Sequence, residues 1–158
     1  MSFEDSLAIR LRRAYLHLHR SANRHFRLLD ATADQYALLT FLAEESGVTQ
    51  QVLVKRLASD KRTINKMLDL LEEKGLVERR EHPDDRRAWA LYLTKAGKKA
   101  QKELYDSADY LRRRLQEAVP PEHLDTVIEC LQKMARRLDP DELDVTIARS
   151  AGKKAKTS

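Results

Sequence analysis

Between Ser59 and Thr94 the apolar residues change from helical to alternating spacing, and few folds accommodate that change in so short a span. Ile64, Met67, Leu68 and Leu71 stand at i, i+3, i+4 and i+7, one buried face of a helix. Asp60, with Ser59 before it, is placed to cap that helix, and Gly75 sits where a left-handed C′ residue belongs. Leu76 to Glu81 and Ala88 to Thr94 then read as two strands around the polar turn His82 to Arg87. In the second strand Trp89, Leu91 and Leu93 alternate with Ala88, Ala90 and Tyr92.

The flanks are helical. Residues 5–29 carry one apolar stripe through Leu7, Leu11, Ala14, Tyr15, Leu18, Ala22 and Phe26, opposite a row of arginines. A stripe this long has to be buried somewhere, and a partner subunit is a natural place. Thr32 to Gln35 forms a capping box before a second helix with Tyr36, Leu38, Leu39, Phe41 and Leu42. Thr49 caps a short third helix, Gln50 to Ala58. Thr94 caps a helix expected over 95–117, and Pro120 and Pro121 separate it from a last helix through Leu124, Val127, Ile128, Leu131, Met134 and Leu138. The lysine-bearing end, 150–158, is expected to be disordered. The fold class is therefore mainly α: three helices plus a two-strand wing over 32–97, flanked by long helices in 1–31 and 98–149.

Four Gly and four Pro leave little room for an all-β fold. One cysteine, Cys130, excludes a disulfide framework within the chain and suits a reducing, cytoplasmic setting. No apolar run is long enough for a membrane span, and the first residues do not read as a signal peptide. No nucleophile elbow, phosphate-binding glycine loop or HExxH motif is present, so no enzyme and no catalytic residue is expected. The five histidines show no metal-ligand spacing, and neither metal nor cofactor is expected. The net charge of +5 permits a polyanionic partner.

The charge order inside the central helix goes further. Lys61, Arg62 and Lys66 lie in its first two turns, and Asp69, Glu72 and Glu73 in its second half. Apart from Asp60, this opposes the helix macrodipole, at roughly 0.3–1 kcal/mol for each misplaced charge at low salt. Phosphates at the N-terminal end would offset that cost. Lys61, Arg62, Thr63, Asn65 and Lys66 lie away from the apolar face and can enter a major groove, where Arg and Lys suit guanine and Asn suits adenine. Taken alone, such a run is also an ordinary solvated face. The turn adds a second element: Arg86 and Arg87 on a projecting hairpin suit a narrow minor groove, and Asp85 can hold a guanidinium fork.

The run from Leu57 through Leu71-Glu-Glu-Lys-Gly75-Leu-Val-Glu-Arg79, then Pro83-Asp-Asp-Arg-Arg87-Ala and Leu93-Thr-Lys-Ala-Gly97, resembles the MarR family of winged helix-turn-helix transcriptional regulators. The Asp85-x-Arg87 wing and the Leu-Thr-x-x-Gly closing motif are its most specific marks. The resemblance implies a homodimer on double-stranded DNA, most simply a repressor on a pseudo-palindromic operator. It also implies Gln50 as a phosphate contact and dimerisation through the terminal helices. Family members often release DNA on binding small aromatic or phenolic acids, for which His17, Arg20 and Tyr36 are the residues to consider beside the first helix. The same three also read as half-buried structural residues. Cys130, beside Ile128 and Leu131, reads as a buried, inert thiol. Two other readings fit a basic helical chain: an adaptor that binds an acidic protein, and an architectural DNA binder with little sequence preference.

Overall fold

A computed structural model describes residues 6–140; the lysine-bearing tail expected to be disordered lies outside the described residues. The chain runs α1 (Leu7–Phe26), a 3-10 turn, α2 (Ala33–Glu44), α3 (Gln50–Arg56), α4 (Lys61–Glu73), β1 (Val77–Glu81), β2 (Trp89–Leu93), α5 (Lys95–Ser107), α6 (Asp109–Glu117), a second 3-10 turn and α7 (Leu124–Arg137). It divides into two compact units between Leu111 and Arg112.

In the first unit, α1 to α5 and the wing share one core. Phe26, Leu38, Leu39, Leu42, Leu53, Ile64, Leu68, Leu71 and Leu91 are its largest fully buried side chains. Burial of such residues supplies roughly 1.5–3 kcal/mol each before conformational entropy is counted. The helix starts are set locally. Gln35 N–H donates to Thr32 Oγ1 while Gln35 Oε1 accepts from Thr32 N–H, the expected capping box. Thr49 and Thr94 cap α3 and α5 through the hydroxyl alone, which accepts from Val52 N–H and Gly97 N–H.

β1 and β2 form an antiparallel ribbon in register from Val77 opposite Leu93 to Glu81 opposite Trp89. The α2–α3 connection adds a rung, with Gly47 N–H donating to Leu91 O and Leu91 N–H to Val48 O. The base of the ribbon is closed by Thr94, whose hydroxyl donates to Gly75 O at 2.6 Å and accepts from Gly97 N–H at 3.0 Å. A Cβ at Gly97 would lie 1.9 Å from Leu76 O, which gives the Leu-Thr-x-x-Gly spacing its physical reason: α5 crosses the start of β1 with no room for a side chain.

Two expectations are corrected and a third is refined. The helix expected over 95–117 breaks at Ala108 into α5 and α6. At that end Ser107 Oγ and Ala108 N–H both donate to Leu104 O, at 2.8 and 3.0 Å. Trp89 alternates with Leu91 and Leu93 as expected but is not buried with them. It is 55% exposed at the outer end of the ribbon, while Ala90 on the other face is fully buried. Cys130 is exposed on α7, not buried.

Both ends of the described chain carry exposed apolar stripes. On α1 these are Leu7, Leu11, Tyr15 and Leu18. On α7, in the second unit, they are Val127, Ile128 and Leu131, with Leu138 just past its end. No described helix is long and apolar enough to cross a membrane.

Candidate nucleic-acid interface

The start of α4 is held by Asp60. Its Oδ1 accepts from Thr63 N–H at 2.8 Å and its Oδ2 accepts from the Thr63 hydroxyl at 2.7 Å. These bonds, the backbone one first, hold the Asp60 carboxyl below its ordinary value of 3.8. Thr63 is thus committed to the cap through its hydroxyl proton. Gln50 is half-buried at the start of α3, and its Nε2 donates to Lys61 O at 3.1 Å, which ties the first turns of α3 and α4 together.

With α4 fixed by Ile64, Leu68 and Leu71 inside, Lys61, Arg62, Thr63, Asn65 and Lys66 are all exposed outside. Lys61, Arg62 and Lys66 have no acidic partner among the described residues. Asn65 Nδ2 donates to Asp69 Oδ2 at 3.4 Å.

The acidic half of α4 has a partner that inspection of the sequence missed. Arg79, on β1, sends Nη2 to Asp69 Oδ1 at 2.8 Å and Nη1 to Glu72 Oε2 at 3.2 Å. One guanidinium therefore spans two acids three residues apart on the helix, which leaves Glu73 as the one exposed acid of that half without a partner among the described residues, against three such cations at the start. The same bridge fastens the wing to the helix. The available signal was the pair Asp69 and Glu72 on one helix face, followed within a short loop by a strand arginine. Arg80 adds a second brace, pairing with Glu78 and lying over the Tyr92 ring at 4.6 Å.

At the wing tip, Asp85 acts on the backbone and not on a guanidinium fork. Its Oδ1 accepts from Arg87 N–H at 2.9 Å, and its carbonyl accepts from Ala88 N–H at 3.0 Å. Asp84 N–H donates to His82 Nδ1 at 3.2 Å. The turn is thus folded by its own polar groups. Arg86 and Arg87 are left exposed, without an ion-pair partner among the described residues.

The residues considered for an effector are not brought together in a cavity. His17 and Arg20 are exposed on α1. Tyr36 is half-buried with its ring 4.7 Å from that of Phe26, as a structural residue would be. His19, not His17, makes contacts toward α2, with Nε2 3.3 Å from Asp34 Oδ1 and Nδ1 3.2 Å from Asn23 Nδ2. Two concavities among the described residues are lined by other side chains.

Three helices around a helix-turn-helix, closed by a two-strand ribbon with an arginine tip, define a winged helix-turn-helix protein. The family description "MarR family" matches residues 25–88. The chain is 38% identical over 72 residues to the transcriptional regulator HosA of Escherichia coli O111:H-, an alignment that covers 46% of this chain and 53% of that one. The chain thus spans about half the length of that curated relative. Wild-type MarR from E. coli in its apo form superposes with a TM-score of 0.69 at 26% identity, over 82% of this chain and 96% of that one. The transcriptional repressor CouR bound to a 23-mer DNA duplex superposes with a TM-score of 0.75 at 26% identity, over 84% and 94%. The chain is thus similar to MarR-family regulators, in sequence over 25–88 and in fold over most of its length.

Proposed function

We propose that this protein is a sequence-specific DNA-binding transcriptional regulator, a cytoplasmic repressor that binds a pseudo-palindromic operator as a homodimer. Residues 32–97 are the DNA-binding lobe, and 1–31 with 98–149 supply dimerisation. The observation that carries the reading is the one-sided charge of α4. Its three leading cations are exposed without an acidic partner, while two of its three later acids, Asp69 and Glu72, are bound by Arg79. In this reading the free N-terminal end lies in the major groove, with Arg62, Asn65 and Lys66 on base edges or phosphate and Lys61, Thr63 and Gln50 near the backbone. Arg87, with Arg86, enters the minor groove, and Asp85 shapes the turn that presents them. The CouR–DNA complex supports the assignment, because the same architecture there holds a duplex.

The exposed stripe on α1 supports a dimer, since Leu7, Leu11, Tyr15 and Leu18 need a cover that the unit itself does not provide. A small aromatic or phenolic acid would act as effector by biasing the spacing of the two lobes. Gel-shift titration of a duplex pool tests the DNA reading. Enrichment of a two-fold-related sequence is expected; failure to enrich any sequence would remove it.

A further inference from the structure

The largest side chain of the wing is unused inside the molecule. Trp89 is 55% exposed, and neither its ring nor its Nε1–H has a partner among the described residues. An exposed indole leaves a broad apolar surface and an idle donor in water.

Its position follows from the register of the ribbon. Val77 opposite Leu93, Arg79 opposite Leu91 and Glu81 opposite Trp89 are alternate rungs, so their side chains share one face. At the base of that face Val77, Leu91 and Leu93 are buried. At the middle rung Arg79 crosses to α4 and meets Glu72 at 3.2 Å and Asp69 at 2.8 Å. The ribbon thus leaves the end of α4, doubles back beside it and turns this face toward it. Glu81 and Trp89 form the next rung outward, about 7 Å further along the strand. Beyond that rung lies the turn with its two exposed arginines, Arg86 and Arg87. Trp89 therefore stands on the helix-facing side of the ribbon, between the Arg79 bridge and the arginine tip.

In the DNA-binding reading, on which the inference rests, α4 occupies the major groove and the arginine tip the neighbouring minor groove. A phosphodiester strand separates two such grooves, so one strand has to pass between α4 and the tip. We infer that Trp89 seats this strand: its ring packs on a deoxyribose and its Nε1–H donates to a phosphate oxygen. The sugar offers the apolar surface and the phosphate the acceptor that this side chain lacks within the chain. Arg62 and Lys66 on the helix and Arg86 and Arg87 at the tip flank the passage with positive charge. Glu81, exposed across the ribbon from the indole, repels phosphate and leaves the strand to the Trp89 side. Such a contact carries no sequence information. It sets how closely the wing approaches and strengthens binding to every duplex alike.

The test uses the full chain, whose only tryptophan is Trp89. Gel shifts with a selected and a random duplex measure binding. Acrylamide quenching of tryptophan fluorescence is then compared in the free and the duplex-saturated protein. The indole should be several-fold less accessible in the complex. Trp89→Ala should weaken selected and random duplexes alike, by roughly tenfold, and Trp89→Phe, which keeps a ring and loses the donor, by roughly threefold. Both variants should melt like wild type, because the side chain is exposed. A complex that is quenched like the free chain, or a folded Trp89→Ala with wild-type affinity, overturns the inference and leaves the DNA-binding reading standing. So does a loss confined to the selected duplex, which would make Trp89 a base contact. Failure of the chain to shift any duplex overturns both. Should Trp89→Ala not fold, the quenching of the wild-type complex decides alone.

Discussion

At the scale of single residues, two arginines in one ribbon have opposite tasks. Arg79 is mostly buried between Asp69 and Glu72, and its charge is used inside the molecule. Arg87 is exposed at the tip, and its charge is available to a partner. Their replacement should therefore fail differently. Arg87→Ala is expected to weaken operator binding while leaving the melting temperature near wild type. Matched-salt gel shifts and thermal melts check both halves. Arg79→Ala should loosen the wing and free two acids beside a DNA-binding helix. Operator affinity should fall through like-charge repulsion of phosphate, and Arg79→Lys should recover only part of it, because a point charge cannot span both carboxylates. Lys66→Ala should cost about 1–3 kcal/mol if Lys66 reads a base edge, with preference relaxed at one base pair. A uniform loss across duplexes would make it a phosphate contact.

At the scale of elements, α4 depends on its cap and the wing on its base. The Asp60 carboxyl is depressed by the Thr63 backbone and hydroxyl bonds, so its stabilisation is complete above the ordinary carboxylate value of 3.8 and is lost as pH falls through the lower folded value. Asp30, depressed by the Lys74 hydrogen bond and charge, works in the same direction. Asp60→Asn keeps an acceptor at the cap without the titration, and should flatten that acid limb in denaturation measured against pH. Gly97→Ala should destabilise by about 1–3 kcal/mol, because the added methyl meets the Leu76 carbonyl. The elements legible in the sequence were those set by neighbours in the chain: the Thr32, Thr49, Asp60 and Thr94 caps, the Gly75 stop and the α4 face. What was not legible depended on contacts distant in sequence or on competition within a turn. Arg79 is ten residues from Asp69, and nothing local assigns one to the other. Asp85 could serve a guanidinium or a backbone N–H, and turn geometry chose the N–H. Strand alternation groups Trp89 with Leu91 and Leu93 but does not give its depth; its cross-strand partner is Glu81, toward the open end of the ribbon. The break between α5 and α6 at Ala108 falls where helical periodicity continues, so the apolar spacing carries no mark of it.

At the scale of the whole molecule, the account needs two copies. The α1 stripe is exposed in one chain, and Leu18→Glu would place a charge in it. Sedimentation should then show a lighter species, and operator affinity should drop even though every proposed DNA contact is intact. If Leu18→Glu remains a dimer with full affinity, α1 is not the interface. The central claim, that the free cationic end of α4 and the arginine tip read a particular duplex, is tested most directly by competition. Trp89, the single tryptophan, stands exposed in the wing and offers an intrinsic reporter. Its fluorescence can be followed as a selected duplex is displaced by random-sequence DNA at fixed salt. The account predicts that the random competitor is needed at roughly 10³-fold excess or more. Displacement at equal concentrations would contradict it.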